Sequence, residues 1–154
     1  MNDFVYRGSE GIRSLRPLQA ADLDVVLDIE NQSYSHPWSR QQFIDQMENS
    51  FSAIDLVWLD GQIAGYVVSW LVAGELEILN VAVSPAWRRQ RIAAWMLSQL
   101  LQRAQSQGMN KAFLEVRSGN SAAIPLYQKL GFRISGCRRR YYGDGEDALL
   151  MEYS

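Results

Sequence analysis

Leu79-Asn80-Val81-Ala82-Val83-Ser84-Pro85 leads into Arg88-Arg89-Gln90-Arg91-Ile92-Ala93, and both are echoed downstream by Leu114-Glu115-Val116-Arg117 and Leu126-Tyr127-Gln128-Lys129-Leu130-Gly131-Phe132. The first stretch reads as an apolar strand stopped by proline, the second as a basic turn opening a long helix. Such an order aims the unpaired amides of a helix start, together with its dipole, at one place where an anion is stabilised. A turn that closes on an anion usually carries glycine where the backbone must approach closely. Here that position is Arg91.

Working outward, Ile92, Trp95, Met96, Gln99, Leu100 and Arg103 recur at helical spacing, and Gly108 supplies the stop. Residues 112–116 follow as a short apolar strand, so strand, helix and strand form a crossover unit that makes 75–83 and 112–116 parallel neighbours. Residues 121–130 read as another helix ended by Gly131. A strand then runs from Phe132 through Arg138-Arg139-Arg140 to Gly143-Asp144-Gly145, and 148–153 form the last strand.

Upstream, Leu23, Val26, Leu27 and Glu30 predict a helix over 20–33. Ser39 with Gln42 three residues on is a capping box, and Trp38 and Phe43 are placed as its hydrophobic staple. Three strands at 53–59, 62–71 and 75–83 are joined at Asp60-Gly61 and Ala73-Gly74, turns short enough to require an antiparallel meander. The expected fold is mixed α/β: a mostly antiparallel sheet with one parallel pair and helices on both faces.

At 154 residues, 47% hydrophobic and 11% aromatic, the chain has material for one full core. We expect a single domain over 12–154 preceded by a flexible extension over 1–11, where Gly8 and Gly11 lie among polar residues. A net charge of −2 argues against a surface that seeks nucleic acid as a whole, and Arg138 to Arg140 read as a solvated strand end. No direct nucleic-acid binding is expected. Cys137 is the single cysteine, which excludes an internal disulfide framework and any multi-cysteine metal site. With no secretory leader pattern and no apolar run of about 18 residues, the expectation is a soluble, cytoplasmic protein without a membrane contact.

Glu115 is a carboxylate in an apolar strand, a pattern that marks either a buried ion pair or a site. Tyr127, in register with Ile124 and Leu130, reads from spacing as core packing with its hydroxyl at the edge. Cys137 and His36 lie in unrelated segments, so an acyl-cysteine route has little to support it, and no nucleophile elbow is present for a serine triad.

The ordered set of motifs resembles the GCN5-related N-acetyltransferase (GNAT) superfamily over roughly 12–153. The apolar strand ends in Ser84-Pro85, Arg88 to Ala93 stands for the Gln/Arg-x-x-Gly-x-Gly/Ala turn, and Asn120 to Phe132 stands for the helix that follows. More narrowly, His36-Pro37-Trp38-Ser39, Leu114 to Arg117, Tyr141-Tyr142 and Gly145 to Ala148 resemble the bacterial ribosomal-protein alanine N-acetyltransferases (RimI).

The resemblance implies acetyl-coenzyme A as co-substrate, held between the two parallel strands, with no metal. It implies Val81, Ala82 and Val83 along the acetyl and pantetheine arm, Arg88, Arg89, Gln90, Arg91, Ile92, Ala93 and Ala94 at the pyrophosphate, and Asn120 near the thioester. It also implies Glu115 as general base and Tyr127 as general acid, with Glu77 as the alternative base. Tyr34, Trp38, Tyr141 and Tyr142 would flank the substrate. Arg91 departs from the turn's glycine, and its side chain is expected to point outward and pair with a phosphate. The implied reaction is direct acetyl transfer in a ternary complex to the N-terminal alanine of a small-subunit ribosomal protein. Acetylation of a lysine or small amine, and a non-catalytic acyl-coenzyme A sensor, are the alternatives. An α-amine titrates near 8 and a lysine near 10.4, so the α-amine is the easier group for a carboxylate to deprotonate.

Overall fold

The structure, a computed structural model, describes residues 4–8 and 11–154. Strands β1 (Phe4–Gly8) and β2 (Gly11–Pro17) come first, followed by helices α1 (Leu23–Ser33) and α2 (Arg40–Glu48). The meander is β3 (Ser52–Leu59), β4 (Gln62–Val72) and β5 (Glu75–Val83). Then come α3 (Ile92–Ser106), β6 (Lys111–Arg117), α4 (Ala123–Leu130), β7 (Arg133–Arg138) and β8 (Ala148–Tyr153). They form one eight-stranded sheet in the order β1-β2-β3-β4-β5-β6-β8-β7, antiparallel except at β5 and β6.

The segment expected as a loose extension is different. Over Phe4–Gly8 it is an edge strand paired antiparallel with β2, because an extended β2 leaves a free edge that the preceding residues can ladder onto. Residues 1–3 and 9–10 of that extension lie outside the described residues.

The two faces of the sheet carry separate cores. Alternation along the strands sends Leu56, Tyr66, Val68 and Ala82 toward α1 and α2, where Leu23, Val26, Ile29 and Phe43 close the layer. Val57, Val67, Leu76 and Ile78 face the other way, against Ile92, Met96, Leu97 and Leu100 of α3. Because both faces are covered, the central strands read as continuous apolar runs. A buried ion pair, Arg103 of α3 bidentate on Asp55 of β3, fixes α3 along the sheet.

Local signals set the helix ends. Ser39 and Gln42 form the reciprocal capping box, and Trp38 packs on Phe43 with ring centroids 5.2 Å apart. The first turn of the helix expected from residue 20 is a 3₁₀ turn, Ala20–Asp22, and α1 proper begins at Leu23. Gly131 ends α4 in the left-handed conformation, φ 110°. No helix of the described residues is long and apolar enough to cross a membrane.

Candidate active site

The parallel ladder between β5 and β6 runs from Glu75 opposite Lys111 to Ile78 opposite Leu114, and stops. Its end coincides with a register shift on the other side of β5: Ile78 faces Ser69 and Asn80 faces Val68, leaving Leu79 as an extra residue. A bulge bends and twists its strand. β6 meanwhile stays laddered to β8 from Ala112 to Arg117. The two strands therefore splay, and a V-shaped gap opens between Leu79–Val83 and Glu115–Arg117.

Which backbone groups face the gap follows from the ladder. The Ser84 N–H donates to the Ala64 carbonyl at 2.7 Å, and bonded pairs alternate along an antiparallel ladder, so Ala82 and Asn80 turn their backbone groups to β4. The close approach of Ala82 O to Gly65, where a Cβ would lie 2.7 Å away, agrees with this. Val81 and Val83 point their N–H and C=O groups into the gap. Ala82, expected along the coenzyme arm, has its polar groups committed to β4 and its side chain in the α1/α2 core.

A cavity of about 400 Å³ fills the gap. Glu115 enters from β6, Tyr127 from α4, Val81 from β5, and Asn120 from the loop before α4. Tyr34, Trp38 and Tyr142 wall the same space from the α1–α2 connection and the β7–β8 connection. Tyr141 does not line it; its phenol donates to Glu115 from outside, and the carboxylate pushes the phenol's pKa up. Arg138 Nε stands 3.6 Å from Glu115 Oε1 and its guanidinium lies 5.5 Å from the Tyr141 ring centre. Glu77 sits on the paired part of β5, exposed and outside the cavity, and so does the exposed Cys137 on β7.

Tyr127 is 8% exposed and packs edge-on against Phe132. Burial pushes its phenol up to about 12, so it holds its proton throughout the neutral range. Asn120 lines the cavity and uses its Oδ1 to accept the Ala123 N–H at 3.1 Å, at the start of α4.

A second cavity, about 670 Å³, lies at the start of α3 and is lined by Val83, Arg88, Arg89, Arg91, Ile92, Ala93, Ala94 and Lys129 among others. Gln90 is not on its wall. Arg89 and Arg91 both adopt left-handed backbone, φ 62° and 60°, and Arg91 is the N-cap of α3. The turn thus keeps a glycine-like conformation with arginine in it, and both exposed side chains border the cavity. Arg88 is partly engaged: Nε donates to the Val83 carbonyl at 3.2 Å and Nη2 to Ser33 Oγ at 3.3 Å.

Three features of the site escaped the sequence reading: the buried Glu30, the hydrogen bond it receives from Asn80, and the bracing of the far wall by Arg117. Glu30, 1% exposed, lines the first cavity and accepts hydrogen bonds from the Trp38 N–H at 3.1 Å, from Asn80 Nδ2 at 2.9 Å and from the Tyr66 hydroxyl. Burial pushes its pKa up, and the Trp38 and Asn80 bonds pull against that. The third feature is the bracing of the far wall: Arg117 lies 4.0 Å from the Tyr142 ring centre and bridges Asp144 at 2.8 Å and Glu146 at 3.0 Å. A carboxylate on the apolar stripe of α1 and an asparagine inside an apolar strand were the available signals.

Comparison with known proteins identifies the family. The Acetyltransferase (GNAT) family model matches residues 23–132. The [ribosomal protein bS18]-alanine N-acetyltransferase of Escherichia coli (strain K12) is 32% identical over 143 residues, covering 91% of this chain and 96% of that protein. The crystal structure of the ribosomal-protein-S18-alanine N-acetyltransferase from Escherichia coli superposes with a TM-score of 0.85 at 31% identity, covering 92% of each chain. That of Ard1 from Thermoplasma volcanium gives 0.85 at 26% identity, covering 91% of this chain and 95% of that one. With its splayed parallel pair, basic turn and family match over most of the fold, the chain belongs to the GNAT family of acetyltransferases.

Proposed function

We propose that this acetyltransferase transfers acetyl from acetyl-coenzyme A to the N-terminal alanine of a small-subunit ribosomal protein, directly within a ternary complex. What carries the reading is the convergence on one cavity of an ionisable carboxylate, Glu115, a protonated phenol, Tyr127, and the gap-facing amide of Val81. The similarity to proteins named for ribosomal-protein alanine acetylation supports the choice of substrate.

The residues fit the coenzyme. Its arm lies along Val81 and Val83, whose N–H groups seek acceptors, and its pyrophosphate at the start of α3, where helix amides meet the charges of Arg89 and Arg91. Glu115 takes one proton from the substrate ammonium through a water, leaving the neutral amine to attack the thioester carbonyl. The Val81 N–H stabilises the oxygen as it gains charge. The C–N bond forms, the C–S bond breaks, and Tyr127 hands its proton to the departing sulfur. The second proton lost by nitrogen restores the phenol, so the pair carries two protons out of one ammonium.

Incubating the protein with acetyl-coenzyme A and two peptides tests this. One peptide begins with free alanine, and the other is N-terminally blocked and contains lysine. The expected result is one acetyl group on the α-amine of the first and none on the second. Acetylated lysine would move the protein to side-chain chemistry, and coenzyme binding without any product would favour the sensor.

A further inference from the structure

The gap-facing edge of β5 offers four backbone groups, the N–H and C=O of Val81 and of Val83, and both carbonyls are already engaged. The Tyr34 hydroxyl donates to Val81 O, and Arg88 Nε donates to Val83 O at 3.2 Å. A guest chain laid along this edge therefore meets ready donors and occupied acceptors. Its carbonyl oxygens can be received as the edge stands. Any N–H it directs at Val81 competes with the Tyr34 hydroxyl for that carbonyl.

We infer that Tyr34 is an exchangeable cap on the Val81 carbonyl, released when the amide N–H of the coenzyme arm takes its place, so that coenzyme binding frees the Tyr34 phenol on the substrate side. The inference rests on the acetyl-coenzyme A reading above. The two caps differ in how firmly they are held. Arg88 carries a full charge and grips Ser33 as well as Val83, whereas Tyr34 makes one hydrogen bond from a neutral phenol.

Tyr34 is built to turn. Its backbone N–H closes α1 on the Glu30 carbonyl at 3.1 Å and stays fixed, so rotation about the side-chain bonds alone releases the phenol. The residue shows 36% of its surface to solvent, leaving room for the ring to move. Its hydroxyl nonetheless lies enclosed in the cleft, where burial, Tyr127 and Glu30 raise its pKa and Arg88 lowers it, so it remains a hydrogen-bond donor. Once freed, that donor sits in the cavity that holds Glu115 and Tyr127, on the side from which the peptide would enter.

The consequence runs against the usual effect of deleting a site residue. Without the hydroxyl the Val81 acceptor is uncapped in the free protein, and the coenzyme no longer competes for it. Calorimetry of the full chain should show Tyr34→Phe binding acetyl-coenzyme A about fivefold more tightly than the wild type, the scale of one net hydrogen bond. Tyrosine labelled with carbon-13 at Cζ gives the second measurement: the Tyr34 resonance, identified by its absence from Tyr34→Phe, should move when coenzyme is added. Equal or weaker binding by Tyr34→Phe, or a Tyr34 resonance that stays put on saturation, overturns the exchange while leaving the acetyltransferase reading intact. Failure of both proteins to bind acetyl-coenzyme A overturns both.

Discussion

Asn80, the residue after the bulge in β5, donates its side-chain amide at 2.9 Å to Glu30, a carboxylate buried on α1 fifty positions earlier. The same carboxyl group holds the Trp38 N–H at the entrance to α2, so one buried side chain ties the α1–α2 connection to the strand that forms the gap. Glu30→Ala leaves three donors without an acceptor and should cost about 3 kcal/mol or more of unfolding free energy in urea titrations.

The charge of Glu30 also makes stability depend on pH. Its pKa is raised above the ordinary 4.5, chiefly by burial, so the folded state binds the proton more readily than the unfolded chain. Such a contribution is fully present below the unfolded value and is lost as pH rises through the folded one. The stability of the wild type relative to Glu30→Gln should therefore improve as pH falls from neutral through that window. A difference independent of pH would show that Glu30 has the same pKa in both states.

Tyr127→Phe keeps the edge-on ring contact with Phe132 and removes only the hydroxyl. Turnover should fall about 10²-fold or more, the usual scale for a lost general acid, with coenzyme affinity and melting temperature close to the wild type. Equal turnover in the two proteins would remove Tyr127 from the mechanism.

Arg91 carries a conformation suited to glycine, φ 60°, at the mouth of the second cavity. Left-handed backbone costs a non-glycine residue about 1 kcal/mol, part of which glycine loses again through its freer unfolded chain. Arg91→Gly should therefore raise stability by no more than about 1 kcal/mol. It should weaken acetyl-coenzyme A binding about threefold to tenfold, the range of an exposed charge-assisted contact. Tighter binding in calorimetry would mean that the side chain obstructs the turn.

Local chemistry was readable and long-range fit was not. The capping box at Ser39, the hairpin turns at Asp60-Gly61 and Ala73-Gly74 and the crossover that sets β5 beside β6 all follow from neighbours in sequence, and each is present. The bulge at Leu79 has no residue signal, because it arises from the mismatch between two strands. β1 depends on a partner that must already be extended. Glu115 and Tyr127 stood out by residue type and resemblance, whereas Glu30 and Asn80 acquire meaning only when the fold brings them together. The basic turn was legible, but the left-handed backbone of Arg89 and Arg91 was not, since arginine carries no preference for it.

Gly65 connects packing to the shape of the gap. It lies in β4 opposite Val83, and a Cβ there would sit 2.7 Å from Ala82 O and 3.3 Å from Val83 Cα, both backbone atoms that cannot swing aside. Gly65→Ala must therefore push the end of β5 away from β4, toward the gap and the start of the basic turn. A forced shift of packed backbone costs about 1 to 3 kcal/mol, so a lower melting temperature is expected. Coenzyme affinity should fall with it, because Val83 borders the second cavity and its edge groups move with the strand. Ala64→Gly, one residue away, alters the same strand without adding an atom, and should lower stability while leaving coenzyme affinity in place. If both substitutions weakened coenzyme binding equally, the fit of β5 against Gly65 would have no special bearing on the site.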